Sequence, residues 1–248
     1  MLKSILKSIK LVRSLLESSD FEEALKGTRI APERMINPLL GCLFETDEMI
    51  RWRAVRAVGL TVAAMAEKDL EAARTVMRRL IWSLNDESGG IGWGAPEAMG
   101  EIMAENETLA REYYRILVSY IDENGNLLEN DELERGAMWG IGRLAQKRPE
   151  LLREWTGPLV AQLNSPDPVK RGLALRGLLF LAPKQETEAH SGRHPAAWGF
   201  DRLETLLAPL IEDRSEIRVF QHGSFVEYKI RRLASDLLER HKSSLQEA

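Results

Sequence analysis

Glu97 and Glu101 stand four residues apart, so on a helix their carboxylates share one face. Such a pair could do acid–base work or hold a cation. Two solvated acids on a helix surface are the plain alternative. His190 and His194 repeat the spacing, but Gly192 and Pro195 argue against a helix there, and no HExxH motif is present. No metal site is therefore expected, and no Ser-His-Asp or Cys-His set can be picked out. The run Ser88–Glu101 carries Gly89, Gly90, Gly92 and Gly94 ahead of Pro96. It has the glycine content of a phosphate-cradling loop but lacks the Lys-Ser/Thr ending and a preceding strand. Three tryptophans each lie one helical turn from a charge: Trp52 with Arg56, Trp93 with Glu97, and Trp139 between Arg135 and Arg143. Aromatic and arginine side chains are the usual anchors of binding surfaces. These residue types point to binding; no catalytic residue, cofactor or metal is expected.

The elements that carry these residues repeat. Ile50, Trp52, Ala54, Ala57 and Gly59 match Ile91, Trp93, Ala95, Ala98 and Gly100 at a shift of 41 residues. A third copy has its alanine at Ala137, a fourth at Ala174 and a last at Ala234. At about 100° per residue, the aligned alanine and the positions four before and four after share a face. Those positions hold Ile50 and Val58, Ile91 and Met99, Leu133 and Ile141, Lys170 and Leu178, Ile230 and Leu238, which predicts one buried stripe per helix. Ala57, Ala98, Gly140 and Gly177, three after each alanine, should let neighbouring helices approach closely. The opposite face takes the positions two before, two after and six after. These are Trp52, Arg56 and Leu60; Trp93, Glu97 and Glu101; Arg135, Trp139 and Arg143; Gly172, Arg176 and Phe180; Arg232, Asp236 and Arg240.

Taken in order, the chain reads as helices joined by short polar turns. Leu2, Ile5, Leu6, Ile9, Val12 and Leu16 form one stripe of an opening helix, with Lys3, Lys7, Lys10 and Arg13 opposite. An end-cap of a helical array is the expected role, not a secretion leader. Asp20 should cap a short helix that Gly27 stops, and Pro32 should open the next, to about Phe44. Asp47 and Asp69 should cap the two that follow. The glycine run should give way to regular helix near Ala95, leaving Gly92 and Gly94 free for unusual dihedrals or a ligand's close approach. Pro149 should open a helix running to about Leu163. A polar insertion covers residues 183–200, and alternation around His222-Gly223 predicts a small β-hairpin near 217–228. Residues 1–30 are read as capping helices, 31–241 as one repeat array, and 242–248 as a frayed tail.

Composition bounds the function. The chain has 248 residues, 44% of them hydrophobic and 29% charged, which suits an ordinary globular protein. No apolar run reaches the roughly 18–20 residues that cross a bilayer. Cys42 is the single cysteine, so no internal disulfide framework exists, and it is read as a buried small hydrophobe in a cytoplasmic protein. A net charge of −4 does not favour binding a polyanion over the whole surface.

Paired helices repeating near 40 residues with an acid or amide in the turn are the signature of a helical solenoid. Leu43–Gly59 and Ser165–Ala174 resemble HEAT repeats of the short bacterial kind also seen in phycobilin lyases. The resemblance covers about residues 32–240. It implies an all-α, right-handed solenoid of about five helical hairpins whose second helices line a concave groove. Trp52, Arg56, Trp93, Glu97, Glu101, Arg135, Trp139, Arg143 and Arg176 would then face that groove. The expected function is a non-enzymatic scaffold or adaptor that binds a protein or peptide partner. A tryptophan packed against the neighbouring repeat, its indole N–H bonded to a carboxylate, remains the simpler alternative at each position. HEAT-like chains also include one class of alkylpurine DNA glycosylase. Trp93, Glu97, Trp139 and Arg143 are the matching kinds of residue. That family uses Asp where this chain has Glu97, and its groove is strongly basic. Nucleic acid is therefore the less expected partner.

Overall fold

The structure is a computed structural model that describes residues 2–85, 92–182 and 200–246. The expected insertion at 183–199, with His190 and His194, lies outside the described residues, as do Gly89, Gly90 and Ile91. The described residues are mostly helical. The helices are α1 (Leu2–Glu17), α2 (Phe21–Gly27), α3 (Pro32–Cys42), α4 (Glu48–Ala66), α5 (Leu70–Leu84), α6 (Ala95–Glu105), α7 (Glu107–Ser119), α8 (Asp131–Lys147), α9 (Gly157–Ala161), α10 (Pro168–Leu181), α11 (Phe200–Ile211) and α12 (Ile230–Gln246). An antiparallel hairpin of β1 (Glu216–Gln221) and β2 (Ser224–Lys229) leads directly into α12. Packing divides the chain into two compact units. Met1–Tyr113 with Phe220–Ser224 make the first, and Tyr114–Val219 with Phe225–Ala248 the second.

Helix starts follow the polar turn residues. Asp47 Oδ1 accepts from the backbone N–H groups of Met49 and Ile50 at 2.9 and 3.1 Å. Asp69 accepts from Ala72, Asn106 from Leu109, and Asn130 from Glu132 and Leu133. Each satisfies N–H groups that have no partner inside the helix. Asp20 departs from expectation: its side chain makes no cap bond to α2, and its own N–H donates to Ser18 Oγ. The hairpin turn is as expected, with φ of +50° at His222 and +80° at Gly223, the two positive values that match strand twist.

The expected stripes are buried. Ala54 and Val58 on α4, Met99 on α6, Ala137 and Ile141 on α8, and Ala174 and Leu178 on α10 are shielded from water. On α12 the turn is shifted by one residue, with Leu237 buried and Leu238 half-buried. In α1, Val12 and Leu16 enter the core while Ile9 stays exposed, which suits a helix with a neighbour on one side. The predicted helix from Pro149 to Leu163 does not form. Short 3₁₀ turns at Pro149–Leu151, Arg153–Trp155 and Gln162–Asn164 flank the five-residue α9. Pro158 lacks an N–H, disfavours helical backbone at Gly157, and has no side-chain cap before it. Leu152, Leu159 and Leu163 are still buried, so the apolar spacing is met without a regular helix.

In the second unit, turn carboxylates also tie repeats together. Asp167 caps α10 through Oδ1 to the Val169 N–H at 2.9 Å, while its Oδ2 accepts from Arg135 Nε on α8 at 2.7 Å. Asp213, in the turn between α11 and β1, likewise accepts from a turn N–H, that of Ser215, and from Arg171 of α10 at 2.6 Å, but it caps no helix. Asp167→Ala removes both bonds of its carboxylate. It should cost about 2 kcal/mol in urea unfolding, against less than about 1 kcal/mol for Asp167→Asn, which keeps the cap.

His241 of α12 is buried, and burial lowers its pKa below the ordinary 6.5, with Glu204 of α11 pulling the other way. The native state thus binds this proton less readily than the unfolded chain, so stability is full above about pH 6.5 and is lost as pH falls below it. Melting curves at pH 7.5 and 5.5 should show this loss, and His241→Gln should shrink it.

Candidate functional site

The nine residues expected to line a groove fall into both units, and each unit is described by itself. In the first, α4 and α6 pack so closely that a Cβ on Gly59 would sit 2.7 Å from the Glu101 Cβ. Helices this close are buried nearly all round. On α4 no residue is fully exposed, and Met49, Trp52, Arg56, Leu60 and Ala63 form one half-exposed strip at helical spacing. Trp93 and Glu97, at the start of α6, are half-exposed as well.

Trp52 stacks on Phe220, ring centroids 5.5 Å apart and planes inclined by 16°. Arg56 is the centre of an ion cluster. Its Nε donates to Glu22 Oε1 at 3.1 Å, and its Nη1 to Glu101 Oε2 at 2.9 Å and Glu105 Oε1 at 2.5 Å. Burial works against the guanidinium charge, but the bond to Glu22 and the charges of Glu101 and Glu105 outweigh it, and the Arg56 pKa rises. Glu101 is only 3% exposed. The pair Glu97–Glu101 therefore does not form two solvated acids: Glu101 is turned into the helix interface and neutralised there.

Trp93 sits in the tight turn that starts α6. Gly94 has φ of +72°, so the glycine there serves backbone geometry. A Cβ on Gly94 would lie 3.2 Å from Leu43, and one on Gly92 would lie 2.8 Å from the Ser83 carbonyl oxygen. The space beside these glycines is filled by the chain's own α3 and α5 ends, not left open for a ligand backbone.

In the second unit, Arg135 holds Asp167 and, through Nη1, Glu132 at 2.6 Å. Its pKa is raised by the bond to Asp167. Trp139 is buried at 4% exposure, a core side chain of α8. Arg143 is half-buried and donates to Gln146 at 3.0 Å. Arg176 of α10 is also only 4% exposed, with its guanidinium over Phe180 at 5.0 Å and Tyr228 at 5.9 Å and its Nη1 against Gly142. Burial lowers its pKa and nearby Arg143 adds to that, while Tyr228 opposes both. The four glycosylase-like residues are divided: Trp93 and Glu97 belong to the first unit, Trp139 and Arg143 to the second.

Sequence reasoning missed several members of these clusters. Phe220, Glu22 and Glu105 come from elements far along the chain, with no local signal. Lys170 did carry one, since it stands on the buried stripe where other copies hold Ile or Leu. It donates to Asp131 at 2.7 Å and to the buried Glu134, whose other oxygen accepts from Gln162 at 2.7 Å.

No family model matches the chain. An uncharacterised protein of Archaeoglobus fulgidus is 34% identical over 109 residues, 44% of this chain and 52% of its own length. The chain thus spans about half the length of the curated relative it matches. Among solved structures, two engineered proteins are 16% and 19% identical, cover 95% and 94% of this chain and 92% and 96% of their own, and give TM-scores of 0.54 and 0.50. A designed armadillo repeat protein in complex with peptide (KR)4 is 19% identical over 94% of this chain and 99% of its own, with a TM-score of 0.49. The protein is a helical-repeat protein of all-α class with one small hairpin.

Removing Arg56 leaves Glu101 buried without its counter-charge. Arg56→Met should destabilise by about 3 kcal/mol in chemical unfolding, and Glu101→Gln in the same chain should recover much of that loss. Additive costs would mean the two side chains act independently.

Proposed function

We propose that this protein is a scaffold or adaptor whose inner repeat helices hold a segment of a partner protein. One observation carries the reading. Helix α6 is buried on almost every side and α4 on the face it turns to α6, yet the aligned positions Trp52, Arg56, Trp93 and Glu97 keep partial contact with water. Arg56 is engaged by its own ion cluster, but a helix that only fills a core has no need of a half-exposed Trp93, whereas binding surfaces use tryptophan as an anchor. Stacked helical repeats suit this use, because neighbouring copies present the same positions side by side. Trp93 is the anchor, held in place by the Gly94 turn. Trp52 lies against Phe220 and forms a wall of the surface.

The test is affinity capture with the whole chain as bait, read by quantitative mass spectrometry, followed by direct titration of the captured partner. Trp93→Ala should melt within a few degrees of the parent and weaken the partner's binding at least tenfold, the usual loss at an interface anchor of about 1.4 kcal/mol or more. Equal retention by parent and variant would refute the assignment, and collapse of the melting transition would make Trp93 a core residue.

A further inference from the structure

The broken segment after α8 brings Trp155 against α7. Trp155 ends the 3₁₀ turn Arg153–Trp155, and its ring meets Tyr114 of α7 edge to face, centroids 6.3 Å apart and planes at 83°. Two rings at right angles make a corner with two π faces. Arg115 fills it. Its guanidinium carbon lies 5.6 Å from the centroid of each ring, and its Nε donates to the Tyr114 hydroxyl at 3.0 Å. Arg115 is exposed, while Tyr114 and Trp155 are half-buried. Among the described residues no carboxylate lies within ion-pair reach of Arg115. The cation thus lies beside both rings and donates to one hydroxyl, a combination that suits a flat, hydrogen-bonding cation.

We propose that the Tyr114–Trp155 corner is a guanidinium-binding site for an arginine side chain of a partner protein, with Arg115 as its built-in, displaceable occupant. The chain's own side chain already demonstrates the fit: a guanidinium meets both rings and the hydroxyl at once. Displacement is cheap because cation–π contacts at exposed sites are weak and Arg115 gives up no ion pair. An arginine entering from solvent takes the same three contacts, and Arg115 swings into water, where its charge is well hydrated. The corner lies on α7 and the 3₁₀ segment, not on the inner helices. It stands or falls independently of the surface at Trp93.

The experiment follows the Trp155 indole N–H signal of the full ¹⁵N-labelled chain, assigned through Trp155→Phe. Nα-acetyl-arginine amide is titrated beside Nα-acetyl-citrulline amide, its uncharged near-isostere, and Nα-acetyl-lysine amide. In Arg115→Ala the indole signal should move saturably with the arginine compound, with an affinity about tenfold above that of the parent chain. Citrulline should leave the signal still. Arg115→Gln, which keeps most of the aliphatic stem, should behave like Arg115→Ala and guards against local distortion. No movement in either variant overturns the site. Equal response to citrulline makes the corner a neutral packing surface. Equal affinity in parent and variants removes Arg115 as the occupant, and stronger binding of the lysine compound overturns the preference for a guanidinium.

Discussion

A helix that is buried on almost every side can carry a charge only where an opposite charge or a polarisable ring meets it. That constraint governs the inner helices of both units. The closeness of α4 and α6, where Gly59 lies under Glu101, leaves no water to solvate a carboxylate, so Arg56 must reach across to it. In the second unit Lys170 of α10 meets Glu134 of α8, and Gln162 takes the remaining carboxylate oxygen. Arg176 is sheltered by Phe180 and Tyr228. Desolvating an ion costs several kcal/mol, so half of any such pair is worse than none. The pairs thus act less as added stability than as a registration device. A slip of one turn between neighbouring helices would strand a charge, whereas an apolar interface would tolerate it.

The same constraint explains the division of labour between turn and helix. Residues at the helix starts still touch water and can do two things with one carboxylate. Asp167 caps its own helix with one oxygen and binds the preceding repeat's Arg135 with the other. Asp213, in the turn before β1, accepts from the Ser215 N–H with one oxygen and from Arg171 with the other, without capping a helix. Repeats are therefore linked at their rims by partly solvated ion pairs, which are individually weak, and along their centres by apolar packing, which is not.

How much of this was legible follows from the range of each interaction. The 41-residue alignment located the buried stripe through Ala54, Val58 and Met99 because burial of a helix face is a local, periodic property. Asp47, Asp69 and the positive-φ pair His222-Gly223 were readable for the same reason: each acts within four residues. The segment 149–164 misled, since its leucines keep apolar spacing while Gly157-Pro158 breaks the backbone. Trp139 shows the limit of face counting. It occupies the same helical face as the half-exposed Arg135 and Arg143, but at 4% exposure it belongs to the core. Partners brought from far along the chain, such as Glu22 for Arg56 or Phe220 for Trp52, had no signature at all.

This pairing also shapes what kind of recognition the surface supports. Arg56 shares one positive charge among the three carboxylates of Glu22, Glu101 and Glu105, so the cluster beside α4 keeps a net negative charge. Such a cluster draws cationic groups toward it, and salt screens that attraction beyond about 8–10 Å. On the reading proposed above, half-exposed rings such as Trp93 would add short-range contact area to that charge. The Tyr114–Trp155 corner obeys a different balance, because its occupant Arg115 is exposed and held only by rings and a hydroxyl. The buried carboxylates of Glu101 and Glu134 meet counter-charges within the chain, whereas Arg115 makes no ion pair among the described residues.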